Sequence, residues 1–232
     1  MALFYSEFIN NDQIELDEQE SRHLLKVLRL TNGDAAQVID GKGNQYNCII
    51  VEAHSKRALL RIEDIIPSQE TFGIHMAVAP TKNINRWEWF LEKATEIGID
   101  EISPIICDHS ERTSLKIERQ KKILIAAMKQ SGKALLPKLN EPLQFSDFLE
   151  KESSERKYIA HCREDLPKMK LSNIHLKGEK AVILIGPEGD FSKEEIIAAN
   201  KSGYKAVSLN NNRLRTETAA LIACHTIHLI NA

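Results

Sequence analysis

The residues best suited to binding chemistry lie in two loops near the end of the chain. The first loop, Gly186–Gly189, follows the apolar run Ala181–Ile185, which is typical of a strand buried on both faces. Glycine lets backbone N–H and C=O groups approach a ligand closely, and proline fixes its own φ. Since ligands bind beyond the carboxyl ends of strands in a parallel α/β sheet, this loop is a candidate ligand site. A tight turn without a ligand fits the pattern equally well.

The second loop, Leu209–Thr218, also lies between a predicted strand and a predicted helix. It contains three consecutive asparagines, which enter left-handed backbone conformations at modest cost, so we expect a sharp curl here. Arg213 and Arg215 stand beside the first turn of the following helix, where free N–H groups already favour anions. This loop could therefore bind a phosphodiester. A capped helix start with solvated arginines is the alternative.

The composition bounds the class of protein. The chain has 232 residues, of which 42% are hydrophobic and 28% are charged, as in an ordinary globular protein of one large or two modest domains. No apolar run approaches the roughly 18–20 residues of a membrane-spanning helix, and the first residues lack the pattern of a signal peptide. We therefore expect a cytoplasmic protein without a membrane partner. The net charge of −2 counts mildly against a nucleic-acid partner but leaves room for a local basic face.

The cysteines and histidines predict no metal site. Cys48, Cys107, Cys162 and Cys224 lie too far apart for a zinc knuckle or a compact disulfide framework, so we expect reduced and mostly buried thiols. Neither GxGxxG nor GxxxxGK[ST] occurs, which removes the usual support for a dinucleotide site or a P-loop.

Residues 1–70 predict a small β-rich domain. Asp17 can cap a helix that runs to about Leu28, and Gly41–Asn44 is typical of a hairpin turn. Pro67–Glu70 resembles a linker. Strands are predicted at Leu3–Tyr5, Gln13–Leu16, Ala36–Asp40, Tyr46–Val51 and Arg57–Ile66.

Residues 71–232 alternate between strand and helix patterns, which predicts an α/β domain with a mostly parallel sheet. Ser192 and Glu195 form a capping-box pattern at the start of one helix. The other helices are predicted at Asn83–Gly98, Leu115–Lys133 and Thr216–Ile230. Strands are predicted at Ile74–Ala79, Glu101–Cys107, Tyr158–Cys162, Ala181–Ile185 and Ala206–Leu209.

Five segments together resemble one known family. The pair Ile185–Ser192 (IGPEGDFS) and Leu214–Ala219 (LRTETA) resembles the SPOUT class of knotted methyltransferases. Within that class the chain is similar to the RsmE family, which methylates N3 of one uridine in 16S ribosomal RNA, position 1498 in the standard numbering. The supporting segments are Glu92–Gly98 with Ile102–Pro104, Met128–Ser131 and His23–Arg29 with Gly33-Asp34.

The resemblance implies a fold, a cofactor and partners. It implies a SPOUT trefoil-knot domain over residues 71–232 and a PUA-like β-barrel that docks RNA over residues 1–70. It also implies S-adenosylmethionine (AdoMet) as cofactor, a homodimer, and 16S ribosomal RNA within the small ribosomal subunit as partner. A SPOUT enzyme acting on another ribosomal or transfer RNA site stays open, as does a non-catalytic RNA-binding assembly factor.

The resemblance also implies roles for residues. Arg215 would stabilise the uracil anion or clamp the target phosphate, and Glu217 would orient Arg215 or accept a proton. Asp190 and Asn210 stand where the family usually has glycine, and we expect Asn210 to supply glycine's backbone range. AdoMet would be held by His161, Gly186, Pro187, Glu188, Gly189, Leu209, Asn210, Leu214, Thr216 and Thr218.

Contacts to the RNA backbone are expected from basic side chains. Arg22, Lys26 and Arg29 are spaced to share one face of a helix, although a solvated face is the alternative. Lys42, in the hairpin turn, and Arg213 would add to them. Lys129 is expected to be a solvated surface residue.

Overall fold

The computed structural model describes residues 3–67 and 71–232. It divides into two compact units, of which the first contains residues 3–67 together with Ile125–Leu136. The second contains Thr71–Leu124 and Pro137–Ala232. The domain boundary after residue 70 stays a prediction, and most of the expected linker, Ser68–Glu70, lies outside the described residues. The units differ from the sequence division because Ile125–Leu136 packs with the first unit.

The first unit is built on a mixed β-sheet. Among the described residues it has six strands in the order β1-β4-β5-β6-β3-β2, with β1 and β4 parallel and the other pairs antiparallel. One face buries a core that includes Phe4, Ile14 and Leu60. The strands are β1 (Leu3–Tyr5), β2 (Phe8–Asn10), β3 (Gln13–Glu15), β4 (Ala35–Ile39), β5 (Gln45–Glu52) and β6 (Leu59–Ile66).

The predicted hairpin joins β4 to β5. Gly41 and Gly43 have φ values of 74° and 104°, which favour glycine because a Cβ atom would be strained there. The Asp40 carboxylate accepts hydrogen bonds from the backbone N–H groups of Lys42 (2.7 Å) and Asn44 (3.0 Å), which fixes the turn. Lys42 is exposed at its tip.

The predicted helix after Asp17 begins as expected but changes its winding. The Asp17 side chain accepts a hydrogen bond from the N–H of Glu20 at 2.7 Å and caps α1 (Glu18–Arg22). The chain then continues as a π-helical segment, His23–Val27. A π turn contains more residues than an α turn, so two residues spaced three apart, such as Lys26 and Arg29, no longer share a face.

The expected basic face on this helix is therefore wrong in its geometry. Arg29 lies beyond the helix with φ of 56°, and Arg22 forms an ion pair with Glu18. Lys129 is not a solvated surface residue either. Its ammonium group contacts the carboxylate of the buried residue Glu20 at 2.5 Å within the first unit.

The second unit is an α/β domain, which confirms the predicted class. Its described strands follow the order β10-β8-β7-β13-β11-β14-β12, with β9 beside β8, and each of these pairings is parallel. The strands are β7 (Ile74–Val78), β8 (Glu101–Ile106), β9 (Lys138–Leu139), β10 (Leu143–Gln144), β11 (Arg156–Ala160), β12 (Met169–Lys170), β13 (Ala181–Ile185) and β14 (Lys205–Ser208). Its helices are α2 (Ile84–Ile97), α4 (Phe145–Lys151), α5 (Leu171–Ile174), α6 (Lys193–Lys201) and α7 (Thr216–Asn231). A further helix, α3 (Ile117–Gln130), begins in this unit, and its residues from Ile125 onward belong to the first unit.

Local capping explains where the helices of this unit begin and end. Asn83 accepts a hydrogen bond from the N–H of Asn85 at the start of α2, and Gly98 ends that helix with φ of 116°. Ser192 and Glu195 form the predicted capping box of α6. Across residues 3–67 and 71–232, none of the helices has the length and apolar content to cross a membrane.

A half-buried polar contact joins two strands to the end of α4. His75 on β7 contacts Glu152 at 3.0 Å through Nδ1 and Ser103 on β8 at 2.8 Å through Nε2. Burial opposes ionisation of Glu152, but hydrogen bonds from His75 and Ser154 outweigh it and lower the pKa of this carboxyl to about 2. The carboxylate form is therefore favoured in the folded state.

This contact predicts a pH dependence of stability. The pKa of Glu152 falls from 4.5 to about 2 on folding, so its contribution is fully present above about pH 4.5 and is lost as the pH falls towards 2. We expect Glu152→Gln to lower the free energy of unfolding by about 2–3 kcal/mol at pH 7, and by progressively less below pH 4.5. Denaturant unfolding across this range measures the difference.

Glu150→Gln, an exposed change on the same helix, serves as the control and should cost less than about 0.5 kcal/mol. A Glu152→Gln deficit that stays constant from pH 7 to pH 2.5 would contradict a stabilising role for the hydrogen-bonded Glu152 carboxylate.

Candidate functional site

Three neighbouring strands bring the two candidate loops together. β11 lies between β13 and β14, and its last residue Ala160 pairs with Ile185 on one side and Val207 on the other. All three strands run in the same direction, so the segments that follow them emerge at one edge of the sheet. Ligands bind at this edge in parallel α/β sheets.

A cleft with two adjoining chambers opens at this edge. The first chamber has a volume of about 300 Å³ and the second about 340 Å³, each large enough to enclose part of a small-molecule ligand. Residues that line both chambers are Ala160, Cys162, Arg213, Leu214 and Ala219. The shared residues show that the two chambers lie side by side.

Most of the expected cofactor residues line this cleft. The first chamber brings together Gly186, Pro187, Glu188, Leu214 and Thr216. The second is lined by His161, Leu209 and Asn210, together with Leu214. Thr218 and Gly189 are not among the lining residues of either chamber.

A direct hydrogen bond joins the two loops. The buried Thr216 hydroxyl, at the start of α7, donates to the carbonyl oxygen of Gly186 at 3.1 Å. A Cβ atom on Gly186 would lie 3.1 Å from the Phe191 ring, so only glycine fits here without movement. The loop after β13 is thereby held against the first turn of α7.

Gly189 is explained by packing rather than by a ligand. A Cβ atom at this position would lie 2.9 Å from Cβ of His109, closer than such atoms normally approach. The expectation that Gly189 contacts the cofactor therefore has no support from its position, and its glycine allows the loop to lie against His109.

Glu188 lines the cleft, but its side chain has a structural partner. One carboxylate oxygen accepts a hydrogen bond from the backbone N–H of Lys82 at 3.0 Å, and the Glu188 carbonyl accepts one from Arg213 at 3.3 Å. Glu188 thus connects the loop after β13 to the loop after β7 and to the arginine loop.

The expected left-handed curl at the asparagines is wrong. Among the described non-glycine residues only Asn11, Arg29 and Asp190 have positive φ. Asn210 instead accepts a hydrogen bond from the N–H of Asn211 at 2.7 Å through its side-chain oxygen. This side-chain bond orders the loop without the left-handed backbone that glycine would permit.

Arg215 is exposed and lines the first chamber at the N-terminus of α7. Within the described part of the chain its guanidinium has no hydrogen bond or ion pair, so it is available to an anionic ligand. The expected contact with Glu217 is not formed. Glu217 is buried, contacts Arg86 at 3.8 Å and leaves its second carboxylate oxygen without a partner.

His161 is buried in the wall of the second chamber, and neither ring nitrogen has a hydrogen-bond partner within the described chain. Burial, assisted by the positive charge of Lys168, lowers the pKa of His161 below its ordinary value. The ring is therefore neutral at pH 7, with one nitrogen able to donate and the other able to accept.

The predicted cofactor set omits several residues that line the cleft. Cys162 is one of them and is exposed, whereas Cys48, Cys107 and Cys224 are buried, in agreement with the expectation of mostly buried thiols. The position of Cys162 directly after a strand end is the sequence signal for it. Asp190 and Lys168 also line the cleft, and for Lys168 the sequence offers no comparable signal.

Family models match almost the whole chain. A model described as "RNA methyltransferase domain" matches residues 68–228, and one described as "RNA methyltransferase PUA domain" matches residues 16–63. The first alone covers more than half of the chain. The cleft lies within its range.

Individual relatives agree with the family models. The Synechocystis protein named ribosomal RNA small subunit methyltransferase E is 30% identical, over 94% of this chain and 73% of its own. A probable rRNA-methyltransferase from Porphyromonas gingivalis has a TM-score of 0.92 at 37% identity, covering 100% of this chain and 98% of its own.

A third relative was solved with a ligand. The ribosomal RNA small subunit methyltransferase E from Neisseria gonorrhoeae, bound to S-adenosyl methionine, has a TM-score of 0.88 at 26% identity, covering 100% of this chain and 98% of its own. These likenesses confirm the expected two-domain architecture, a SPOUT α/β domain with a PUA-like domain. The chain belongs to the ribosomal RNA small subunit methyltransferase E family of AdoMet-dependent RNA methyltransferases.

Proposed function

We propose that this chain transfers the methyl group of AdoMet to N3 of uridine 1498 of 16S ribosomal RNA. The observation that carries the proposal is the two-chambered cleft, which is formed by the same two loops whose sequences resemble the family. The full-length likeness to named small-subunit methyltransferases supports the substrate class.

The cleft is the proposed AdoMet site. Gly186–Glu188 and Leu209–Asn210 line its two chambers, and their backbone groups would offer hydrogen-bonding partners to the cofactor. The unpartnered ring of His161 provides a further polar contact in the second chamber. When bound here, AdoMet would supply an electrophilic methyl group on a sulfonium cation.

Arg215 is the residue proposed to assist the reaction. An N3 proton whose pKa lies about two units above neutral costs about 2.7 kcal/mol to remove at pH 7, at about 1.36 kcal/mol per unit. A guanidinium at the cleft without a competing partner, next to the N-terminus of α7, would stabilise the resulting uracil anion. Glu217 stays a predicted proton acceptor, now without the expected contact to Arg215.

RNA docking is assigned to the first unit and to the rim of the cleft. Arg22, Lys26 and Arg29, with Lys42, are proposed to contact the phosphate backbone as separate charges rather than as one helical face. Arg213, exposed at the rim, would bind near the target nucleotide. The proposal includes a homodimer that acts in the cytoplasm on the small ribosomal subunit.

Methyl transfer tests the proposed function directly. Labelled AdoMet is supplied with assembled 30S subunits or with naked 16S RNA from cells that lack the enzyme, and the methylated nucleotide is mapped. We expect label on N3 of one uridine, at position 1498. Label at another ribosomal or transfer RNA nucleotide would change the substrate assignment. If the chain neither binds AdoMet nor transfers its methyl group, the result would indicate a non-catalytic RNA-binding factor.

Arg215→Ala tests the catalytic assignment. We expect kcat to fall by about 10²–10³, since one charge-stabilising donor is removed, while the Kd for AdoMet changes by less than about threefold. Single-turnover transfer and calorimetry measure the two quantities. Arg119→Ala, which removes an exposed arginine that pairs with Glu88, is the matched control and should keep full turnover. An Arg215→Ala enzyme with unchanged kcat would remove Arg215 from the mechanism.

Thr216→Val tests the bond between the loops. The substitution leaves the Gly186 carbonyl buried without its partner, which should cost about 1–3 kcal/mol of stability and weaken AdoMet binding. Thr95→Val is the control, because its hydroxyl donates to Leu91 within one helix and bonds to neither loop. It should affect stability alone. Equal AdoMet affinity in both variants would show that the loop contact does not shape the site.

A further inference from the structure

Asp190 has an unusual backbone conformation at the edge of the cleft. Its φ of 66° is in the left-handed region, where non-glycine residues are uncommon, and aspartate is among the few that enter it. It lines the first chamber. A residue in such a conformation persists when its surroundings hold it there.

The side chain of Asp190 spans the cleft wall. Its Oδ2 atom accepts a hydrogen bond from the backbone N–H of Cys162 at 2.9 Å, across 28 positions of sequence. Cys162 follows the end of β11 and lines both chambers, whereas Asp190 belongs to the loop after β13. This bond connects the segments that follow β11 and β13, beyond the last residue pair of the two strands, Ala160 and Ile185.

The backbone of Asp190 is anchored on its other side. Its N–H donates to the Pro187 carbonyl at 3.0 Å, which closes a turn in the loop. Its carbonyl accepts from Nδ1 of His109 at 2.9 Å. The close approach of Gly189 to the same histidine holds the loop in place. The carboxylate therefore extends from a fixed base, and its acceptor atom determines where Cys162 lies.

We infer that Asp190 is a positioning residue for AdoMet. Its carboxylate accepts a hydrogen bond from Cys162 and thereby holds the segment after β11 at the distance from the loop after β13 that the cofactor requires. The inference rests on the proposed assignment of the cleft to AdoMet. Asp190 acts through the backbone of Cys162, so its loss affects cofactor affinity and leaves the chemical step largely unchanged.

Two substitutions of Asp190 separate the effect of its hydrogen bond on AdoMet binding from the effects of its charge and of its backbone conformation. Asp190→Asn keeps an acceptor oxygen and tolerates the left-handed conformation, but it removes the negative charge. Asp190→Gly accepts the same φ without strain and removes the side chain, so it is expected to fold. Asp165→Asn is a matched control, since it removes a carboxylate whose side-chain partner is Arg163, a residue that lines neither chamber.

The full chain is measured by AdoMet calorimetry, by steady-state methyl transfer and by thermal unfolding without ligand. We expect Asp190→Gly to raise the Kd and KM for AdoMet about tenfold, with kcat within about twofold and no loss of thermal stability. Asp190→Asn should stay within about threefold of the unchanged protein in Kd, because the acceptor is retained. Asp165→Asn should bind AdoMet unchanged.

Two results would overturn the inference. An unaltered Kd in Asp190→Gly would show that the contact does not position the cofactor site. Equal weakening in Asp190→Asn and Asp190→Gly would show that charge, and not the hydrogen bond, is what matters. If the unsubstituted chain binds no AdoMet, the proposed function fails instead, so the two failures are distinguishable.

Discussion

The parallel ladder that joins β13 to β11 and β11 to β14 fixes where ligand-binding groups can meet. Side chains and loops that follow three adjacent parallel strands emerge together, although Cys162, Gly186 and Leu209 are far apart in sequence. The sheet supplies only the approximate position. Specific contacts then set the shape of the cleft, such as the hydrogen bond from Thr216 to Gly186 and the one from Cys162 to Asp190.

The charges around the cleft are distributed unevenly. The carboxylates of Glu188 and Asp190 each accept a hydrogen bond from a backbone N–H group, of Lys82 and Cys162 respectively. Arg215 has no such partner in the described residues. Under the proposed assignment, the acids organise the walls and the arginine meets the charge that develops on the uracil. Structural and chemical roles are thus divided between neighbouring side chains of the same loops.

Much of the fold could be predicted because local patterns and tertiary structure agree. The strand Ala181–Ile185, the capping box at Ser192 and the Gly98 end of α2 are each determined by nearby residues. The short elements β2, β9, β10, β12, α4 and α5 were not predicted, since two to seven residues carry too little periodicity. The π-helical His23–Val27 likewise has no local signature that separates it from an α-helix.

The errors at the site came from side-chain partners that sequence does not reveal. Asparagine's tolerance of positive φ allowed a curl, but the side-chain bond of Asn210 made it unnecessary. Glu217 is two positions from Arg215 and yet contacts Arg86 on another helix. The residue with a left-handed backbone is instead Asp190. Its side chain accepts a hydrogen bond from Cys162, which lies 28 positions away in the sequence.

Amide hydrogen exchange with and without S-adenosylhomocysteine tests the central claim, that these loops together form the cofactor site. The product analogue binds without turnover, so protection reports binding alone. We expect slowed exchange confined to the segments after β11, β13 and β14, around residues 161–162, 186–190 and 209–216. Saturating binding that leaves these amides unprotected, or that protects a different edge of the sheet, would contradict the account.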